Sequence, residues 1–121
     1  MENRRNDLSE RLLDFAANII KLAAPLGKTP VGRHIGGQLT RSGTSSGANY
    51  EEACGAESRL DFIHKLQVVL KELRETLYWL RLIKKTSLIS DTDPSFLALL
   101  QEAQELANII AASIVTARKK R

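Results

Sequence analysis

Few residues in this chain have the types and spacing that chemistry at a protein site requires. Asp61 and His64 stand three positions apart, so a helix would carry a carboxylate and an imidazole on one face, which is half of the set that holds two iron ions in some helical bundles. The full set needs a second such pair, and the only other histidine in the sequence, His34, has no acidic residue three positions before it. We therefore expect no metal ion and no cofactor, and a surface position for His64 beside Asp61.

The candidate nucleophiles lack activating partners in the sequence. Cys54 is the single cysteine, so it can form neither an internal disulfide nor a cysteine zinc site, and a lone cysteine near a helix end more often packs than reacts. Ser42, Ser45 and Ser46 have no neighbouring residue that would act as a base. The glycines at positions 36 and 37 follow no predicted strand, so they predict no phosphate-binding loop. We expect that the protein is not an enzyme.

Four segments that carry apolar residues at helical spacing must position whatever site exists. In the first, Leu12, Phe15 and Ile19 continue an alternation of three- and four-residue steps, which predicts one apolar face of a helix. No segment alternates with the period of a half-buried strand. Connections of roughly 3–8 residues make successive helices antiparallel. The sequence predicts an all-α, antiparallel up-down-up-down four-helix bundle in a single domain over 1–121, with helices at 7–24, 30–54, 58–85 and 94–118.

The second segment is rich in glycine, serine and threonine, which are poor helix formers. Thr29-Pro30 predicts its start, because a capping hydroxyl precedes a proline at the first helical position. A helix of this composition needs its neighbours to hold it. In return, its thin surface lets their backbones approach closely.

The third segment has apolar residues beyond the stripe that one bundle requires. Tyr78 and Trp79 are aromatic residues of the kind that interfaces favour. These residues could pack on the edge of their own bundle, or they could form an interface between subunits. We favour the interface, in which two glutamates would form ion pairs between subunits. The predicted interface residues are Val68, Glu72, Glu75, Tyr78, Trp79 and Leu82.

Composition and charge restrict the classes of function. The 121 residues suffice for one domain, and 43% hydrophobic with 26% charged residues is ordinary for a soluble protein. The longest apolar runs are far shorter than the roughly 20 residues of a membrane span, so we expect a cytoplasmic protein with no membrane partner. The formal charge of +4 is modest and mostly favours solubility.

The basic residues gather at the two ends of the predicted bundle. In a monomer they could simply be solvated helix ends. Assembly into a ring would repeat them as a basic rim, which could follow phosphates without reading bases. The residues predicted to contact nucleic acid are Lys21, Lys28, Arg33, Arg81, Lys84, Lys85, Arg118, Lys119, Lys120 and Arg121.

The second segment also carries an ordered motif. Arg41-Ser42, Ser45, Asn49 and Glu52 resemble the signature of a bacterial four-helix-bundle family, the S23 ribosomal protein family, whose first members are encoded in intervening sequences of 23S ribosomal RNA genes. Accessory proteins of diversity-generating retroelements are similar to the same family. One departure is Ala53, which stands where the family usually has glycine.

The resemblance implies a homopentamer and a role in binding RNA or DNA, with a reverse transcriptase as a partner if the chain belongs to the retroelement branch. Two interpretations of Arg41, Asn49 and Glu52 stay open: a polar network that sets helix register, which we favour, or a ligand site. We therefore predict a non-enzymatic oligomeric scaffold that binds nucleic acid. The alternative is an assembly module for a protein partner.

Overall fold

The computed structural model describes residues 4–120, with side chains from residue 7 onward. Within this range there is no strand, so the all-α class is confirmed. A short 3-10 segment, Ala24–Lys28, follows the first helix. The four α-helices are α1 (Arg4–Ala23), α2 (Pro30–Cys54), α3 (Arg59–Thr86) and α4 (Pro94–Lys119).

The helix starts follow from side-chain caps that the sequence predicts. Thr29 Oγ1 accepts a hydrogen bond from the backbone N–H of Gly32 at 3.0 Å, and Pro30 opens α2. Ser58 caps α3 in the same way, and Asp93 caps α4 before a proline. Each cap satisfies an N–H group that would otherwise lack a partner in the first helical turn.

The helices form a closed four-sided bundle. Each helix packs on its neighbours along the chain, and α1 also packs on α4, whereas among described residues no Cα atoms of the diagonal pairs lie within 8 Å of each other. The apolar seams meet in the centre, where Phe15, Leu39, Leu73 and Phe96 have at most 1% of their surface exposed. Because α1 and α3 are diagonal, the side formed by α1 and α2 is opposite the side formed by α3 and α4.

Glycines let α1 and its connection approach α2. A Cβ atom on Gly43 would lie 2.9 Å from two carbon atoms of the buried Ile19, and one on Gly32 would lie 2.0 Å from the Leu26 carbonyl oxygen. A Cβ on Gly37 would meet nothing within 4 Å. The poor helix formers of α2 are therefore stabilised by tertiary packing. This packing leaves no room for a side chain at Gly32 or Gly43, whereas Gly37 has open space.

Candidate nucleic-acid interface and the polar contacts of α2 and α3

An arginine of α2 joins two glutamates of α3. Arg41 donates to Glu72 at 3.2 Å and also to Glu75. Glu72 is buried, with 8% of its surface exposed, whereas the Arg41 side chain is about half exposed. Positions 72, 75 and 79 follow one another by three and four residues, so they share the flank of α3 that faces α2.

Glu72 and Glu75 already have a partner within the chain, whereas ion pairs between subunits stay a prediction. Both carboxylates are held by Arg41 of their own chain. The sequence alone did not indicate a partner for them within the chain. Only the packing of α2 against α3 shows that Arg41 reaches them.

Two hydroxyls form a second polar contact beneath this ion pair. Thr76 Oγ1 lies 2.9 Å from Ser42 Oγ and 2.8 Å from the Glu72 carbonyl oxygen, and both side chains are fully buried. Buried polar groups need partners, and these hydroxyls have them. The contact fixes the register of α2 against α3 because it can form at one relative position of the two helices.

The remaining motif residues do not join this contact. Asn49 donates through Nδ2 to the Ser45 carbonyl oxygen within α2 at 2.9 Å, and Glu52 is exposed. Of the predicted polar set, the structure thus brings Arg41 and Ser42 to α3 and leaves the other three on α2. Sequence analysis missed Thr76. Its position next to the apolar seam of α3, four residues after Glu72, could have indicated a buried hydroxyl that needs a partner.

The acid stability of the fold should depend on Glu75. Its pKa is lowered, first by the hydrogen bond from Arg41 and next by the one that the Trp79 indole donates at 3.2 Å. Ionised Glu75 therefore stabilises the folded state above its ordinary pKa of 4.5, and this contribution is lost as the pH falls through the lower folded-state value. The free energy of unfolding of Glu75→Gln should therefore fall less between neutral pH and pH 3 than that of the unmodified protein. Urea unfolding across this pH range measures the difference.

The fluorescence of the sole tryptophan, Trp79, should also change as Glu75 is protonated, because its indole donates to that carboxylate. Glu51→Gln is the matched control, because Glu51 is exposed and belongs to no ion pair between described residues. The same pH dependence in Glu75→Gln as in the unmodified protein would contradict the prediction.

The predicted interface residues divide into two groups in the structure. Trp79 is half-buried and contacts His34 of α2 edge to face, with ring centroids 6.1 Å apart. Leu82 packs against the core, and Val68 is half-buried on the same flank. Tyr78 points outward and is 57% exposed. A subunit interface on these residues stays a prediction.

Six cations gather in two grooves between α3 and α4. One groove is lined by Arg81, Lys84 and Lys85 of α3, by Gln101 and Gln104 of α4, and by Asp91 of the connection between these helices. The other is lined by Lys71 and Arg74 of α3 and by Arg118 of α4. None of the six takes part in an ion pair within the described part of the chain. We call Lys71, Arg74, Arg81, Lys84, Lys85 and Arg118 the cationic face.

The acidic residues of α3 and α4 are paired with cations of other helices or of their own turn, so they do not neutralise the cationic face. Arg11 of α1 donates to Glu102 at 2.7 Å, and this contact raises the pKa of Arg11. The complete set of pairs is Asp61 with Lys65, Glu72 and Glu75 with Arg41, and Glu102 and Glu105 with Arg11. Asp91, in the connection between α3 and α4, is the one acidic residue that lines either groove, so positive charge exceeds negative charge on the outer side of α3 and α4.

The predicted nucleic-acid residues are only partly brought together. Arg81, Lys84 and Lys85 share one groove, and Arg118 lines the next. The others lie elsewhere. Lys21 lines a groove between α1 and α4, Lys28 is exposed before α2, and Arg33 lies beside α1, where it donates to the Gly27 carbonyl oxygen. Lys119 is the last residue of α4, Lys120 follows it, and Arg121 lies outside the described residues.

Sequence analysis missed Lys71 and Arg74 as members of this face. The usable signal was the spacing of positions 71, 74, 78, 81 and 85, which follow one another by three and four residues and so lie along one stripe of α3. Grouping the cations by the ends of the bundle concealed this stripe.

The structure also places the residues that were considered for metal binding and catalysis. The described residues contain no group of three or more side chains that could hold a metal ion. Gly43, Ser45 and Gly47 have the spacing of a nucleophile elbow, but they lie inside α2 instead of at a turn between a strand and a helix. His64 is exposed near Asp61, whose carboxylate accepts from Lys65. Within residues 4–120, no helix is long and apolar enough to cross a membrane.

Fold and surface together define a small four-helix bundle with a cationic face. The profile of the 23S rRNA-intervening sequence protein family matches residues 4–112. A crystal structure from Bacteroides thetaiotaomicron, of a protein with unknown function from the S23 ribosomal protein family, is 35% identical to this chain and superposes with a TM-score of 0.84. The match covers 93% of this chain and 98% of that one. No curated protein matches. The chain belongs to the 23S rRNA-intervening sequence protein family.

Proposed function

We propose that this protein is a non-enzymatic oligomeric scaffold that binds RNA or DNA through the cationic face. The observation that carries the proposal is the segregation of charge on α3 and α4. Every acidic residue of these helices is paired, and the six cations of the cationic face are not. Unpaired lysine and arginine side chains on one face favour contacts with phosphates.

The length of the cationic face suits a nucleic-acid backbone. From Lys71 to Lys85 the stripe runs for about 21 Å along α3, close to the rise of about six base pairs. Phosphate contacts position a nucleic acid but carry no direct sequence information. The proposed binding is therefore independent of sequence and sensitive to salt.

Assembly is the second part of the proposal, with the homopentamer that the family resemblance implies. The outer side of α1 and α2 carries exposed apolar residues: Leu13 is 62% and Ile20 is 51% exposed. A shallow groove beside Ile20 is lined by Gly37 and Thr40, and Arg33 also lines it. We propose this side as the contact between copies, in place of the flank of α3 that the sequence suggested. It is opposite the cationic face, so assembly there leaves the cations and Tyr78 accessible. The same apolar surface is what favours the alternative function, an assembly module for a protein partner such as a reverse transcriptase.

A salt-dependent titration tests the proposal. The purified protein is titrated with duplex DNA and with structured RNA at several salt concentrations, and its mass in solution is measured by sedimentation. We expect binding that weakens steeply as salt rises, and a mass above that of the 13.4 kDa chain. Failure to bind either nucleic acid at low salt would reject the nucleic-acid role and favour the alternative. A mass of one chain at working concentration would reject assembly.

A further inference from the structure

We infer that the cationic face binds unpaired nucleic-acid strands, with Tyr78 stacking on a base. This inference rests on the proposed function and names the kind of nucleic acid that it takes. The observation behind it is the position of an exposed aromatic ring at the middle of a row of cations. Tyr78 follows Arg74 by four residues and precedes Arg81 by three, so all three side chains leave the same side of α3.

Tyr78 differs from the other aromatic side chains of the chain. Among the described phenylalanine, tyrosine and tryptophan residues it alone is exposed. An exposed ring costs solvation free energy that a polar residue would avoid. A flat apolar surface between two guanidinium groups is the combination on which nucleic-acid bases stack while their phosphates meet the cations.

The ring is also held in place before any ligand arrives. It contacts Trp79 edge to face, with centroids 5.0 Å apart and planes at 78°. Trp79 is in turn fixed by its hydrogen bond to Glu75 and by its contact with His34. Glu75 is held by Arg41 of α2. The polar contacts between α2 and α3 thus position Tyr78, which reduces the ordering cost of stacking.

Unpaired bases are the partner that such a ring selects. In a duplex the faces of the bases are covered by their neighbours in the stack, so a surface tyrosine meets only sugars and phosphates. In a single strand the faces are available, and one base stacked on an aromatic ring is worth about a 5- to 150-fold gain in affinity. Stacking involves no counterion release, so this gain should persist as salt weakens the phosphate contacts.

The test compares two strands that differ only in their bases. An oligothymidine of about 20 nucleotides, longer than typical single-strand sites, is titrated beside a strand of equal length in which every sugar is abasic. The full-length protein should bind oligothymidine at least about 5-fold tighter than the abasic strand, with a ratio that does not change with salt. Binding should also alter the fluorescence of Trp79, because its ring contacts Tyr78.

Variants of Tyr78 complete the test. Tyr78→Leu should remove the difference between the two strands, and Tyr78→Phe, which keeps the ring, should retain it. Equal affinities of the unmodified protein for both strands, or a Tyr78→Leu variant that keeps the preference, would overturn the inference while leaving phosphate binding intact. Absence of binding to both strands and to duplex at low salt would overturn the proposed function itself. Because the strand comparison uses the unmodified protein, it decides the inference even if a variant fails to fold.

Discussion

Replacing Arg74 and Arg81 together by glutamate is expected to weaken nucleic-acid binding on the order of 100-fold or more at low salt. Both residues lie on the cationic face and neither belongs to an ion pair between described residues, so reversing them removes phosphate contacts and adds repulsion. The milder pair of alanine substitutions should lower the slope of log affinity against log salt by about 2. Fluorescence or filter titrations at several salt concentrations measure both effects.

The matched control reverses two cations away from this face. Lys21→Glu with Lys28→Glu makes the same change in net charge, but Lys21 lines a groove between α1 and α4 and Lys28 precedes α2. We expect this variant to lose far less affinity. An equal loss in both variants would show that total charge or the end of the bundle governs binding, contrary to the role of the cationic face.

The two alanine substitutions Gly32→Ala and Gly37→Ala should change stability in opposite directions, although both add one methyl group to α2. At Gly32 the new Cβ would stand 2.0 Å from the Leu26 carbonyl oxygen and 2.9 Å from Thr29 Oγ1, so the connection and the helix cap must both move. Overpacking and a weakened cap together should cost about 2–4 kcal/mol. At Gly37 a Cβ meets nothing, and the better helix propensity of alanine should add about 0.5–1 kcal/mol.

Urea unfolding at one protein concentration measures this difference, since the stability of an oligomer depends on concentration. The midpoint should fall for Gly32→Ala and rise for Gly37→Ala, with similar slopes. Two stabilised variants would show that α2 can move away from the Leu26 carbonyl without cost. Loss of stability in both would show that Gly37 is covered, as it would be if copies meet on the side of α1 and α2.

Much of the fold could be predicted because it depends on local chemistry. Thr29, Ser58 and Asp93 were recognisable caps since a short polar side chain before a helical pattern bonds N–H groups three residues away. The apolar face of α1 could be predicted because Leu12, Phe15 and Ile19 recur at the helical period, and all three are buried. Even α2, whose composition disfavours a helix, was predictable from the strength of the segments around it.

The contacts of the candidate site were less predictable. Arg41 is 31 positions before Glu72 and 34 before Glu75, and nothing within the sequence pattern pairs residues so far apart. Glu52, which the sequence analysis grouped with Arg41 in one polar network, lies on the same helix as Arg41 and is exposed. The contact of Trp79 with His34 of α2 could not be predicted, because it depends on how the two helices are rotated against each other.

The sequence by itself determined the family, the all-helical class and the presence of an excess of cations, because motif order, hydrophobic period and composition are properties of the chain in one dimension. Only the tertiary structure decided where those cations act. It pairs the acids of α3 and α4 with Arg11, Arg41 and Lys65, and so leaves the cationic face with an excess of positive charge. The physical reason is that an ion pair is strong only when its charges lie within a few ångströms of each other. The packing of the helices determines which residues, distant in sequence, come within that distance.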